Sequence, residues 1–213
     1  TFPLCKLIMK DADRAELAVI GSASNGDQDS DAQMNGTFIS LDGTGTEVRL
    51  PVSIRNRGHG SRNRKPNNHR VNFSADRPWK GVTALNINGQ YTHVQLLGAV
   101  LSLKAGLAGA DSRPVQVRVN NVNLANNGPQ TYGGMYVANE VVNSDWSEHW
   151  YPADGSGNIY RTLRDVAPSL IGLAASTNAV LKNLGALLGI TATVTVFAAV
   201  SPCSSRTSSG RAW

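Results

Sequence analysis

The sequence contains very little cysteine and few charged residues. Cys5 and Cys203 are its two cysteines, and they lie almost a whole chain length apart. This spacing excludes a zinc site built on a CxxC pair, and it excludes a small secreted domain held together by many disulfides. Charged residues make up 16% of the 213 residues, compared with about a quarter in average proteins. Hydrophobic residues make up 41%, so the chain can bury a core and is not a highly charged disordered protein.

Aromatic residues are also scarce, at 6% of the chain. None lies between Arg49 and His69, in the most basic part of the sequence. Proteins that hold single-stranded nucleic acid stack its bases on aromatic side chains, so nucleic acid is the least favoured of the anionic partners. The histidines show no HxH or HxxxH spacing and no GxSxG motif occurs, so the sequence predicts neither a zinc site nor a serine hydrolase.

Acidic residues are scarce or missing in two long stretches, of which the first is strongly basic. Nine of the twenty basic residues lie between Arg49 and Lys80, where Asp76 is the only acid. The formal net charge of +5 and the pI of about 9.5 also favour an anionic partner, such as phosphate, a nucleotide or an acidic surface. An ordinary solvated basic loop is the alternative interpretation.

The second stretch, which has no acids at all, is the C-terminal part of the chain. Residues 166–213 contain no Asp or Glu and are rich in Ala, Leu, Gly, Ser, Thr and Val. Residues 183–202 carry no charge and have about the length of a membrane span. However, Thr191–Val196 alternates as a strand does, which makes a membrane helix the less favoured interpretation. We therefore predict a folded part, 1–165, and an apolar, acid-free tail, 166–213, of uncertain structure.

Hydrophobic periodicity predicts a mixture of strands and helices in the folded part. Alternating or apolar runs indicate strands over residues 4–9, 48–54, 70–73, 115–119 and 132–139. Asp42-Gly43 is a hairpin signal, and Pro51 is expected at a sheet edge or a bulge. Residues 92–107 form a helical pattern whose apolar side chains cover most of its circumference, which predicts a well-buried helix.

A glycine-containing turn inside the basic stretch is the main candidate for binding chemistry. Gly58-His59-Gly60-Ser61 lies between a predicted strand and further arginines. Glycine has no Cβ, so backbone N–H groups in such a turn can approach phosphate oxygens closely. Arg55 and Arg57 before the turn, and Arg62 and Arg64 after it, would add guanidinium donors. An ordinary hairpin turn is the alternative.

Several segments of the chain resemble the CotH family of spore-coat-protein-H-like proteins, which are regarded as atypical protein kinases. The resemblance covers about residues 3–168. It is carried, in order, by LPVSIRNRGHGSRNRKPNNHRVNF, PWKGVTALNINGQYTHVQLLGAVLSLKAGL, VQVRVNNVNLA, YGGMYVANEV and GNIYRTLRDVAP.

The resemblance implies an α+β fold in which residues 1–165 form a kinase-like N-terminal lobe and hinge. Such a lobe has a twisted antiparallel sheet with one packed leucine-rich helix. The resemblance also implies ATP with Mg or Mn as cofactors, a coat or surface protein as substrate, and a location outside the cell, at the cell surface or in the spore coat. The implied nucleotide-binding residues are Arg55, Arg57, Gly58, Gly60, Ser61, Arg70 and Glu140.

The roles of these residues follow from their positions in the resemblance. The arginine–glycine–serine loop would cover the nucleotide phosphates. Arg70 stands where ordinary kinases carry a phosphate-binding lysine, and Glu140 belongs to the hinge that would border the adenine. The helix over 92–107 has no glutamate to pair with such a cation, and Gln95 is the one polar side chain near its start that could replace it.

The sequence departs from the family after Asp165, because no acid follows that residue. In the family, the metal-binding and catalytic acids lie in a C-terminal lobe, and phosphoryl transfer requires such carboxylates. We therefore expect a truncated and catalytically incomplete member that at most binds nucleotide phosphates, with no catalytic or metal-binding residues of its own. The alternative is a non-catalytic spore-coat or cell-surface assembly protein that binds anionic partners.

Overall fold

Seven β-strands close into a barrel in the computed structural model of this protein, which describes residues 2–20, 30–58, 61–62, 64–125 and 131–159. The strands belong to one compact unit, Thr1–Gly157. The predicted tail over 166–213, with its uncharged stretch 183–202, lies outside the described residues. Among the helices that are described, none has the length and apolar character needed to cross a membrane.

The elements follow one another with helices inserted between strands. The strands are β1 (Leu4–Met9), β2 (Met34–Asp42), β3 (Gly45–Asn56), β4 (His69–Asn72), β5 (Ala84–Asn88), β6 (Ser112–Val119) and β7 (Tyr136–Glu140). The helices are α1 (Asp11–Val19) after β1, α2 (Thr92–Lys104) after β5 and α3 (Ser144–Trp150) after β7.

The strand order around the barrel is β1-β2-β3-β4-β5-β7-β6, and β6 returns to lie beside β1. Every neighbouring pair is antiparallel except the closing pair, β1 and β6, which is parallel. In this closing pair Leu7 lies opposite Val119, while on the other side of β1 it lies opposite Phe38. Alternate side chains therefore point into one shared interior.

The core consists of these inward-facing apolar side chains. Leu7, Phe38 and Ile54 are completely buried. Phe38 packs edge-on against Phe73 and Trp79, with ring centroids 5.2 and 5.3 Å away. Aromatic rings prefer this geometry because the positive ring edge meets the negative face.

The predicted hairpin around Asp42-Gly43 is confirmed, since β2 and β3 are antiparallel neighbours joined at that point. The register between them shifts between Gly36 and Phe38, where two β3 residues, Leu50 and Pro51, lie opposite Thr37 alone. Proline cannot donate to the ladder, and a bulge removes that requirement. The expectation for Pro51 is therefore also confirmed.

The predicted fold class is wrong. We expected an α+β, kinase-like N-terminal lobe with a twisted antiparallel sheet and one packed leucine-rich helix, whereas the described residues form a closed seven-stranded barrel with three short helices. The parallel pairing of β1 with β6 makes the difference, because it joins both edges of the sheet. Local alternation identifies strands, but it does not say which distant strand will pair with which.

The predicted burial of the leucine helix is also wrong. Helix α2 lies within the predicted range and contacts β6 and β7. Leu97 and Leu101 nevertheless remain 59% and 58% exposed, and Thr92 is the one buried residue of the helix. The barrel covers one side of a helix that is apolar all round, so the other side faces outward.

His69 is a polar residue of the barrel interior. It lies on β4 opposite Asn56 of β3 and Ile87 of β5, and its side chain is buried. Neither ring nitrogen has a hydrogen-bond partner among the described residues. Burial, and secondarily the charge of Lys65, lower the pKa of His69 to about 4. The folded protein therefore holds this imidazole in its neutral form.

We predict that His69 makes the protein less stable in mild acid. The folded pKa lies below the unfolded value of 6.5, so the unfolded chain binds the proton first and stability falls as the pH drops from about 6.5 towards 4. The full effect is about 3 kcal/mol. Urea unfolding from pH 7 to pH 4.5 should show a smaller loss for His69→Leu than for the wild type. Equal losses would contradict the prediction.

Gly98 lies on the exposed side of α2, and a Cβ placed there would meet no atom within 4 Å. Glycine in a helix interior is less favourable than alanine by about 1 kcal/mol. We therefore expect Gly98→Ala to raise the free energy of unfolding by up to about 1 kcal/mol, measured by urea denaturation. A loss of stability would show that the exposed side of α2 does not tolerate even a methyl group.

Candidate anion-binding site

A polar cavity of about 340 Å³ lies at one end of the barrel. It forms where β3 and β5 end and where α2 begins. We call it the arginine cavity; its lining residues are Arg57, Ser61, Arg64, Asn68, Asn88, Gln90, Tyr91 and Gln95. The lining that the structure describes combines two guanidinium groups with amides and hydroxyls and contains no carboxylate. It is therefore suited to an anion.

Arg57, the first residue after β3, is the central cation of this cavity. Its Nη1 donates to Oδ1 of Asn88 at 3.0 Å, and its backbone N–H donates to the carbonyl of Asn68 at 2.9 Å. Burial lowers the pKa of Arg57, and the neighbouring charges of Arg55, Arg70 and Arg62 lower it further. An arginine keeps its proton under such conditions, so the site holds a partly desolvated positive charge.

A chain of amides holds Arg57 in place. The Nδ2 group of Asn88 donates to Oε1 of Gln95 at 2.7 Å. Asn139 of β7 donates to the same oxygen at 2.8 Å, and Nε2 of Gln95 donates to the carbonyl of Gln90 at 2.5 Å. These bonds orient the Asn88 amide so that its oxygen faces the guanidinium. Helix α2 thereby contributes to the position of the cation.

The predicted glycine turn borders the cavity, and Gly58 has φ of +108°, which favours glycine. Nε of Arg62 donates to the carbonyl of Gly58 at 2.8 Å, and its Nη2 donates to Asp31 at 3.0 Å. A further donor of Arg62 reaches the carbonyl of Ser30. Arg62 is buried, and these bonds occupy its donors. It therefore stabilises the turn and does not contact a ligand in the cavity.

Arg55 and Arg70 lie outside the cavity. They are opposite each other on β3 and β4, at positions that alternate with the inward-facing residues. Arg55 forms an ion pair with Asp31 at 2.5 Å, and Arg70 donates to Asn72 at 2.8 Å. Burial and the charge of Arg55 lower the pKa of Arg70, while Asp31 opposes that effect. Both arginines therefore raise the positive potential beside the cavity without lining it.

The structure brings together some of the predicted site residues and separates others. Arg57 and Ser61 line the cavity, and Gly58 lies in its bordering turn. Gly60 lies outside the described residues. Glu140 lies opposite Leu85, whereas the cavity residue Asn88 lies three positions further along β5.

Three positions along a strand span about 10 Å, so the structure does not bring Glu140 to the arginine cavity. Its carboxylate instead accepts a hydrogen bond from the backbone N–H of Asp111 at 3.2 Å. Asp111 and Glu140 also share a backbone hydrogen bond. The role of Glu140 beside an adenine therefore stays a prediction, and Glu140 is not among the residues that line this cavity.

The sequence reasoning missed half of the cavity lining, namely Asn68, Asn88, Gln90 and Tyr91. The sequence indicates Gln95 only as a replacement for a helix glutamate, whereas in the structure it anchors the Asn88 amide. A usable signal was present in the run Asn86-Ile87-Asn88-Gly89-Gln90-Tyr91, which places polar residues where a strand ends and a helix begins. Loops at such junctions often carry function.

The described lining does not fit the Mg or Mn implied by the resemblance. These cations prefer carboxylate oxygens, and Arg57 and Arg64 would repel them. No group of three His, Cys, Asp or Glu side chains able to hold a metal occurs elsewhere in the described part of the chain either.

Comparisons of the whole sequence with known protein families and with curated proteins found no match. The resemblance to the CotH family thus rests on the quoted segments alone.

The turn at Gly58 provides a direct test of the cavity border. A Cβ at Gly58 would collide with Oγ of Ser61, and its φ is strained for any other residue. We expect Gly58→Ala to cost about 1–3 kcal/mol of stability, measured by urea denaturation. Gly43→Ala is the matched control, because no atom lies within 4 Å of its added Cβ. Similar losses in the two variants would contradict this account of the turn.

Proposed function

We propose that this chain binds the phosphate groups of a nucleotide in the arginine cavity. The observation that carries the proposal is Arg57, a partly desolvated guanidinium held by Asn88 in a cavity whose described lining has no carboxylate. The CotH resemblance supports the same ligand class, because it implies nucleotide-phosphate binding through the loop that contains Gly58 and Ser61.

The electrostatics of the cavity support an anionic ligand. Arg55, Arg62 and Arg70 all act on Arg57 with the same sign of charge. A phosphate would offset this repulsion and accept charge-assisted hydrogen bonds, which are shorter and stronger than neutral ones. Arg64 is exposed at the cavity wall and can supply a second guanidinium. The Ser61 hydroxyl, which accepts a weak bond from Asn68 at 3.4 Å, can donate to the same ligand.

The proposal concerns binding and includes no phosphoryl transfer. The corresponding family proposal is a catalytically incomplete atypical kinase of the CotH family, and its place would be the cell surface or the spore coat. A second candidate function is a coat or surface assembly protein that binds extended anionic partners. The outward pair Arg55 and Arg70 favours that candidate, because these guanidinium groups lie outside the cavity.

Calorimetric titration with ATP, pyrophosphate and inorganic phosphate tests the proposed function. We expect Arg57→Ala to weaken phosphate binding at least ~10-fold, because a charge-assisted hydrogen bond in a sheltered site is lost. Arg57→Lys keeps the charge, so it separates loss of charge from loss of the guanidinium geometry. Arg77→Ala is the matched control, since Arg77 belongs to the same basic stretch but is exposed and does not line the cavity.

The control also separates the two candidate functions. If Arg57→Ala and Arg77→Ala weaken binding equally, and if binding falls steeply with salt, general surface electrostatics explains the affinity and the cavity proposal is wrong. Binding to a sheltered cavity is screened less by salt. If the wild type binds none of the three ligands, the proposed function fails as a whole.

A further inference from the structure

Tyr91 is the aromatic side chain in the described lining of the arginine cavity. It is the residue immediately before α2, and its carbonyl accepts from the N–H groups of Val94 and Gln95, both at 3.1 Å. Its backbone is left-handed, with φ of 52° and ψ of 42°. The side chain is 56% exposed and forms no capping hydrogen bond with the helix.

Two local rules are broken at Tyr91. The residue before a helix is usually Ser, Thr, Asp, Asn or Gly, whose side chains or flexibility suit the free N–H groups. The left-handed backbone is rare for a bulky residue and favours Gly, Asn or Asp. Burial of the ring in the core does not offset these energetic costs, because more than half of the side chain is exposed. Residues that break local rules in this way are concentrated at functional sites.

We propose that Tyr91 is a stacking platform for the base of a nucleoside phosphate whose phosphate group lies against Arg57 and Arg64. This inference rests on the proposed function, which concerns the phosphate group. It adds the base as a second part of the ligand that the cavity would bind. An exposed tyrosine ring can stack on any nucleobase, since every base offers a π face. The cavity, at about 340 Å³, is at the small end of ligand pockets, which favours a mononucleotide over a longer molecule.

A nucleoside phosphate can be a free nucleotide or the 5′-phosphorylated end of a nucleic acid. The position of Tyr91 in the lining of the same small cavity as Arg57 favours the free nucleotide. The described basic surface outside the cavity, which includes Arg55 and Arg70, offers no aromatic neighbour at the paired positions on β3, β4 and β5. A polynucleotide would therefore gain electrostatic contacts there but no second base-stacking contact.

The test compares inorganic phosphate, ribose 5-phosphate, AMP and a 5′-phosphorylated tetranucleotide by calorimetric titration. We expect AMP to bind about 5- to 150-fold more tightly than ribose 5-phosphate, which is the range that stacking of one base provides. Tyr91→Asn should bring AMP to the affinity of ribose 5-phosphate and weaken inorganic phosphate much less than it weakens AMP. Tyr91→Phe should retain the preference for AMP, because it keeps the ring.

A stability measurement adds a readout that does not depend on ligand. Asparagine tolerates the left-handed backbone and suits the position before a helix. We therefore expect Tyr91→Asn to raise the midpoint of thermal unfolding by about 3 °C while it removes base-dependent binding. Val94→Asn is the control: Val94 is equally exposed on α2 but does not line the cavity, so its substitution should leave the preference for AMP unchanged.

The outcomes separate this inference from the proposed function. If phosphate binds but AMP and ribose 5-phosphate have equal affinities, the stacking role of Tyr91 is wrong and phosphate binding stands. If Tyr91→Asn weakens inorganic phosphate as much as AMP, Tyr91 shapes the phosphate site and does not stack a base. If the tetranucleotide binds more than tenfold tighter than AMP, the assignment to a free nucleotide is wrong. If no phosphate compound binds, the proposed function fails first.

Discussion

The pairing of β1 with β6 is the constraint on which the rest of the structure depends. It joins the first strand to the sixth and turns a seven-stranded sheet into a barrel without free edges. Asn120 extends the junction beyond the strands: its side chain accepts from the backbone N–H of Met9 at 3.0 Å and donates to the Met9 carbonyl at 2.9 Å. Residues 111 positions apart are thereby fixed to each other.

Closure of the barrel determines where polar residues can accumulate. Inward positions in the middle of the strands are filled by side chains such as Leu7, Phe38 and Ile54, so buried polar groups lie towards the ends. The arginine cavity occupies one such end, where β3 and β5 finish and α2 starts. The Asn88 amide bonds both to Gln95 and to Arg57, as buried polar groups require. The result is a cavity wall whose cation is held in place before any ligand arrives.

The arginines at this end of the barrel differ in whether a carboxylate pairs with them, and this difference decides which of them can bind an anion. Asp31 accepts from both Arg55 and Arg62 through the same oxygen, so one carboxylate serves two guanidinium groups. Arg57 is held by the neutral oxygen of Asn88 instead. Its charge is oriented but not neutralised by that contact. An anionic ligand would complement the charge of Arg57. Tyr91 lines the same cavity, which is why we propose that the ligand also carries a base.

The sequence by itself determined five of the seven barrel strands, the hairpin at Asp42-Gly43, a sheet edge or bulge at Pro51 and the basic character of the Arg57 region. These features follow from local alternation, turn chemistry and charge, which act between neighbours in the chain. Only the tertiary structure decided that the sheet closes, that the leucines of α2 stay exposed, and that Glu140 is separated from Arg57. Those outcomes depend on which distant strands pair, because pairing across the chain assigns each side chain to the interior, the outer surface or the cavity.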